Sequence, residues 1–355
     1  MPPARPACPS PRVAGRAALL ACGLACSLLF DLACKPTPID APAPATAPPP
    51  SPTVTPVAAP APVREVAVTI DDLIIGGRDL ELPRTRAMTA ALLASVTAAG
   101  VPAVGFVNEA KLCDCKERQA RIDVLRMWTD AGLELGNHTH SHPSLQTTPL
   151  AEFEADVLRG EPVTRELLAA RGQQLRWFRH PYLRTGPTAE VRAAFEEFLA
   201  DHGYTVAPVT FDNSDWMFNF VYTDAKTRGD TDTMTRVGAA FLAHIADSTT
   251  FYEGAEQALF GRPIRHILLL HANELNAEYF DDLAAMLRDR GYRFITLERA
   301  LEDPAYAEPD RFIGAAGVSW MYRWDFTRGR EQVDWARQPE PPAFVQELFA
   351  AAGGR

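Results

Sequence analysis

From residue 64 onward the chain alternates two hydrophobic rhythms. Short, mostly apolar runs recur at 66–70, 102–107, 133–136, 176–179, 205–209, 267–270 and 293–296, with the length and composition of buried strands. Between them, segments 85–99, 121–131, 149–170, 188–202, 233–246 and 277–290 carry apolar residues three and four positions apart, the period of an amphipathic helix. Several of these segments end at glycine, a helix stop. Strands separated by helices predict a parallel α/β sheet, either closed as a barrel or open. No internal repeat breaks the pattern.

The segments outside this rhythm predict the domain layout. Within residues 1–35, Arg5, Arg12 and Arg16 precede an apolar run at 17–30, followed by small residues and Cys34, which reads as a secretory leader. That run is shorter than the ~20 residues of a membrane span, so no transmembrane span is expected. Cys34, or Cys22 after Leu19-Leu20-Ala21, offers a site for a lipid anchor. Cleaved or lipidated, the chain is expected outside the cytoplasm. Residues 36–63, rich in Pro and Ala, read as an extended linker. The remainder divides into a catalytic domain at 64–300 and a C-terminal extension at 301–355.

Composition narrows the partners. A length of 355 residues with 47% hydrophobic content supports a substantial core, and the net charge of −10 argues against nucleic acid or another polyanion as partner. Four of the six cysteines fall in the leader, leaving Cys113 and Cys115, too few for a disulfide framework. They form either a local disulfide or two thiols on a loop without catalytic role.

The polar residues that interrupt the apolar runs carry the chemistry. Asp71-Asp72 follows the first strand, and His138-Thr139-His140-Ser141-His142 follows the third. Together they supply carboxylates and two imidazoles four residues apart for one divalent metal, with one aspartate free to act as base. Arg179-His180-Pro181-Tyr182, Asp212-Asn213-Ser214-Asp215-Trp216 and Leu269-Leu270-His271 follow later strands. All gather at strand carboxyl ends, where barrel enzymes build their sites.

These motifs, in this order, resemble the polysaccharide deacetylase family, the family 4 carbohydrate esterases, over roughly residues 64–300. Thr69-Ile70-Asp71-Asp72 is similar to the family's Thr-Phe-Asp-Asp, His138 to His142 to its His-Ser/Thr-x-x-His, Arg179-x-Pro181-Tyr182 to its third motif, Asp215-Trp216 to its fourth, and Leu269-x-His271 to its fifth. The resemblance implies a distorted (β/α)7 barrel with parallel strands and the active site at their carboxyl ends. It implies that Asp72, His138 and His142 bind one divalent metal, zinc first and cobalt, nickel or iron as alternatives. Asp71 would be the base, oriented by Arg179, and His271 the acid, held by Asp215. The Tyr182 backbone N–H would bind the oxyanion, while Trp216 and Leu269 would shape the acetyl pocket. The implied substrate is an acetylated glycan.

Two other readings compete with an active deacetylase: a catalytically idle carbohydrate-binding protein of the same fold, and a hydrolase of cyclic amides. The idle form would be expected to lack a ligand or the base, and none is missing here. Residues 217–262 read as an insertion between the fourth and fifth motifs. The aromatic run with Trp320, Tyr322, Trp324, Phe326 and Trp335 is expected to pack on the barrel, with sugar stacking as the alternative. Asn273 and Asn276 either bind sugar hydroxyls or cap the next helix. His140 is expected in solvent or behind the ligands, and His180, His202, His244 and His266 are expected to be structural.

Overall fold

The computed structural model describes residues 63–354 apart from Asp79 and Asp114. The leader and its two candidate lipidation cysteines lie outside the described residues, as does the linker up to residue 62. Seven strands form: β1 (Arg64–Leu73), β2 (Val104–Val107), β3 (Glu134–Asn137), β4 (Trp177–Phe178), β5 (Thr205–Val206), β6 (Arg265–His271) and β7 (Tyr292–Phe294). All pair in parallel, in the order β5-β4-β3-β2-β1-β6, with β7 on the first residues of β1. The chain after β5 continues to β6, where Phe211 bridges Leu268. The Thr210 and Phe211 amides both donate to the Ile267 carbonyl. That closes a distorted (β/α)7 barrel.

Around the strands lie α1 (Leu82–Ala98), α2 (Arg118–Asp130), α3 (Leu150–Arg159), α4 (Pro162–Ala169), α5 (Ala189–Asp201), α6 (Asp215–Arg228), α7 (Thr231–Phe260), α8 (Glu274–Asp289), α9 (Leu297–Leu301), α10 (Trp320–Thr327) and α11 (Ala343–Ala351). Alternation along β1 sorts its side chains between two environments. Val66, Val68 and Ile70 join the main core, whereas Ala67 belongs to a smaller cluster with Phe106, Trp177 and Ile267. Its neighbours on the same face, Glu65, Thr69 and Asp71, are buried polar residues. Glu65 takes Arg265, Arg293 and Arg299, and Asp71 lies at the opposite end of the strand, in the site.

The expected helices differ from the observed ones in two places. The helix expected over 149–170 splits into α3 and α4 at Gly160, where a Cβ would sit 2.5 Å from the His140 nitrogen. The chain can approach that loop only without a side chain there, and Pro162 then starts α4. The segment 217–262, read as an insertion, is helical: α6 and α7 fill nearly all of it, and α7 runs well beyond the expected 233–246.

Cys113 and Cys115 are joined in a disulfide. Trp320 and Trp324 are buried, and the Trp320 amide donates to the Val209 carbonyl at 2.7 Å. The Trp335 indole N–H donates to Asp325 at 2.8 Å. Trp320 and Trp324 thus pack in the core, Trp335 is half-buried, and Phe326 of the same run is exposed. No helix among the described residues is long and apolar enough to cross a membrane.

Candidate active site

The site begins with an irregularity in β1. Register with β2 shifts between Ile70 and Leu73, and Asp72 adopts a φ of 68°, a left-handed conformation that costs a non-glycine residue about 1–2 kcal/mol. A regular strand would send Asp71 and Asp72 to opposite faces. With the bulge, both line one cavity.

The imidazoles come from a strained loop rather than a helix. Thr139 and His142 have φ values of 67° and 57°, and the His142 amide donates to Thr139 Oγ1 at 3.0 Å. Buried Asp156 of α3 accepts from both the amide and the hydroxyl of Ser141. His138 Nδ1 lies 2.9 Å from the Arg179 carbonyl, which fixes that nitrogen as the donor and leaves Nε2 as a free base. Asp72 Oδ1 is 3.7 Å from His142 Nε2 and 4.0 Å from His138 Nε2. The three ligand atoms lie within 4.8 Å of one another, close enough for one small cation to draw them together at the usual ~2.1 Å. His140 is outside this trio. Burial holds both imidazoles below the ordinary histidine range against the opposing pull of Asp72, so they are neutral, as metal ligands must be. Asp72 is also buried, but Lys111 and His142 pull its pKa well below the usual value.

Asp71 stands beside this cluster in a different state. Burial raises its pKa to about 6 against the attraction of Arg179 and His271. Its Oδ2 is 3.4 Å from Arg179 Nη1, while Oδ1 is buried with no hydrogen-bond partner. An unsatisfied carboxylate oxygen is costly to bury, and a proton or a water supplied to the site would satisfy it. Fully buried Arg179 is itself held by Thr69, whose Oγ1 accepts from Nη2 at 2.8 Å.

His271 faces Asp71 in β-ladder register. Its Nδ1 lies 2.7 Å from Asp215 Oδ1, and its amide donates to Oδ2 at 2.9 Å. Asp215 also accepts from the side-chain amides of Asn273 and Asn276, at 3.1 and 2.6 Å. Burial would lower the imidazole pKa, but Asp215, with Asp72 and Asp71 behind it, raises it to about 9. Asp71 and His271 thus both line the cavity with raised pKa values, a pattern common among groups that exchange protons.

Asp71, Asp72, His138, His142, Tyr182, Trp216, Leu269 and His271 line one cavity of about 600 Å³. Arg179 and Asp215 lie behind it. Tyr182 and Trp216 are its exposed aromatics, at 53% and 45% exposure. Tyr182, with a φ of 57°, packs its ring edge-on against His142 at 4.4 Å, and Trp216 packs edge-on against Phe349 of α11 at 5.5 Å.

Residues 58–207 match the family model described as polysaccharide deacetylase. Over that stretch the chain is similar to the polysaccharide deacetylases. The match ends after β5, ahead of Asp215 and His271, which enter the site from the start of α6 and the end of β6. No curated protein sequence matches this chain. Among solved structures, the chain is similar to a polysaccharide deacetylase from Bacillus cereus (18% identity, 66% of this chain and 91% of that one, TM-score 0.46). It is also similar to the peptidoglycan deacetylase PdaC from Bacillus subtilis (21%, 68% and 91%, 0.42). A further similar structure is a family 4 carbohydrate esterase pseudoenzyme from Bacillus anthracis (18%, 68% and 66%, 0.42).

Several features of this site escaped the sequence reading. Lys111 Nζ contacts Asp72 Oδ1 at 3.0 Å and the Asp72 carbonyl at 3.1 Å, and nothing in its sequence context marks it. Asp212 lines the cavity, with burial raising its pKa to about 6. His180 also lines the cavity, and burial, with Arg323 adding to it, drops its pKa to about 3. Asn273 caps α8 through the Asn276 amide, as one reading expected, and it anchors Asp215 as well. Gly317 lines the cavity from the C-terminal extension, lying so close to the Tyr182 carbonyl that a Cβ would overlap it at 1.6 Å.

Proposed function

We propose that this chain is a metal-dependent hydrolase that removes acetyl groups, N-acetyl first, from an extracytoplasmic polysaccharide or oligosaccharide. The observation that carries this reading is the unpartnered Asp71 Oδ1 beside three convergent metal ligands, opposite a histidine held in the imidazolium form. Asp72, His138 and His142 would hold one divalent ion, zinc best matching two imidazoles and a carboxylate. When bound, the ion would supply Lewis-acid polarisation of the acetyl oxygen and a more acidic water.

The remaining steps belong to the protein. Asp71 Oδ1 accepts the proton of the attacking water, and Arg179 keeps that carboxylate ionised and aimed. The Tyr182 backbone N–H donates to the acetyl oxygen as negative charge grows there. His271 Nε2 delivers a proton to the departing amine, since Asp215 engages Nδ1 and fixes the ring. Leu269 and Trp216 bound the space for the acetyl methyl. The presence of base, acid and all three ligands supports catalysis over an idle binding role. The leader and linker proposed for residues 1–63 would export the domain, cleaved or lipid-anchored at Cys22 or Cys34, and the domain itself would run over 64–300 with the extension 301–355.

Acetate release from a panel of N- and O-acetylated glycans, with and without chelator, tests this reading. We expect release that chelator abolishes and zinc restores. No release from any member, or chelator-insensitive release, overturns it.

A further inference from the structure

The cavity has one cation whose charge no protein carboxylate answers. Arg184 follows Tyr182 on the loop after β4 and lines the cavity wall. Its guanidinium lies 5.1 Å from the centre of the Tyr182 ring, and its Nη1 donates to Ser144 Oγ at 3.3 Å. Its Nε is shielded from water and has no hydrogen-bond partner. Among the described residues no carboxylate pairs with it. The other cations at the cavity are matched: Arg179 with Asp71, Lys111 with Asp72, and His271 with Asp215. A guanidinium at a cavity wall with no carboxylate to balance it favours an anion brought in by a ligand.

We propose that Arg184 is a subsite for a carboxylate carried by the acetylated sugar, a conclusion that rests on the deacetylase reading above. A planar guanidinium presents paired N–H donors that match the two oxygens of a carboxylate, and stacking on Tyr182 together with the Ser144 bond holds the fork in place. Arg184 and the His142 imidazole both pack on the Tyr182 ring, at 5.1 and 4.4 Å. One aromatic ring thus adjoins both the anion subsite and the metal-ligand cluster, a proximity suited to two substituents of the same sugar. Asp212 lines the same cavity and, among the described residues, forms no ion pair; its carboxylate would repel the anion if the sugar turned round, so the charge pattern also selects the orientation. Two sources share this chemistry: a lactyl ether on the sugar ring, and a ring carboxylate of a hexuronic acid.

The test uses the zinc-loaded full chain and three N-acetylated oligosaccharides: one bearing a lactyl ether, its methyl ester, and one containing hexuronate residues. For the wild type, kcat/KM for the preferred free acid should exceed that for the ester by roughly ten- to hundredfold, the range of one charge-assisted bidentate contact. Whichever acid shows the advantage identifies the source. Arg184→Gln should collapse the acid-to-ester ratio toward one, and Arg184→Lys, which keeps the charge and loses the fork, should leave an intermediate ratio. Equal rates on acid and ester in the wild type, or an unchanged ratio in Arg184→Gln, would overturn the proposal. If no oligosaccharide releases acetate, the deacetylase reading fails by itself, and calorimetry of the free acids still decides this one. Binding that depends on both the carboxylate and Arg184 upholds the subsite, and equal binding to wild type and Arg184→Gln removes it.

Discussion

Replacing Asp215 by Asn tests the acid half of the site without touching the metal ligands or His271 itself. Asp215 Oδ2 accepts three donors, the His271 amide and the side-chain amides of Asn273 and Asn276, and Oδ1 meets His271 Nδ1. An asparagine satisfies the three donors only by turning its oxygen toward them, which aims its NH2 at Nδ1. An amide N–H facing that nitrogen opposes the imidazolium that the carboxylate favoured. Burial lowers the His271 pKa, so with its largest opposing influence gone the value should fall from about 9 to the ordinary 6.5 or below. That difference corresponds to about 3 kcal/mol of lost preference for the protonated ring. At pH 7 the wild-type ring is almost fully protonated; in the variant, protonation falls to about a quarter or less.

Lost orientation adds to lost protonation. A positioned acid contributes about 10²–10⁴, and we expect N-acetyl turnover at pH 7 to fall between about tenfold and a thousandfold. The assay is the pH dependence of acetate release. The wild type needs Asp71 ionised and His271 protonated, so its profile should rise through about 6 and fall through about 9. In Asp215→Asn the alkaline limb should move down to meet the acid limb, collapsing the plateau. An alkaline limb still near 9 in a folded, metal-loaded variant would refute the assignment of Asp215 as the group that sets His271.

His142→Ala should lower zinc content well below one ion per chain, measured by metal analysis after dialysis; full occupancy with full activity would remove His142 from the ligand set. Asp71→Asn should keep the fold and most of the metal yet lose several orders of magnitude in turnover, because an amide cannot take up the water's proton. Wild-type acetate release by that variant would exclude Asp71 as base. His271→Ala should cost about 10²–10⁴ on an N-acetyl sugar and much less on an aryl acetate, whose phenolate leaves without protonation. Equal losses on both would assign His271 to geometry rather than proton donation.

The strands were legible because buried parallel strands are short apolar runs with sharp ends, and the site was legible where its polar residues interrupt those runs. Asp71, His138, Arg179 and His271 each stand at or just beyond the end of such a run. The helices were less legible where tertiary packing overrides local rhythm. In α7 the apolar positions are diluted by Thr233, Thr235, Ser248 and Thr250, and α6 begins within a motif that reads as loop. The split at Gly160 follows from its contact with the His140 backbone, which residue spacing does not reveal. Lys111 follows β2 but stands alone without a recognisable motif, and Gly317 comes from the C-terminal extension; only the folded chain brings them to Asp72 and Tyr182.

The ladder pairing of Asp71 with His271 has a bearing on how such a site can change. The gap between the backbones of these two residues, the proposed proton acceptor and donor, is set by two adjacent strands bonded through seven registered residue pairs, so it is as stiff as the sheet and cannot be tuned by loop breathing. The lining at Tyr182, Arg184, Trp216 and Gly317 is carried instead by connecting segments and the start of one helix. Redesign for a new sugar can therefore exchange these lining residues as a cartridge while the proton-transfer spacing stays untouched.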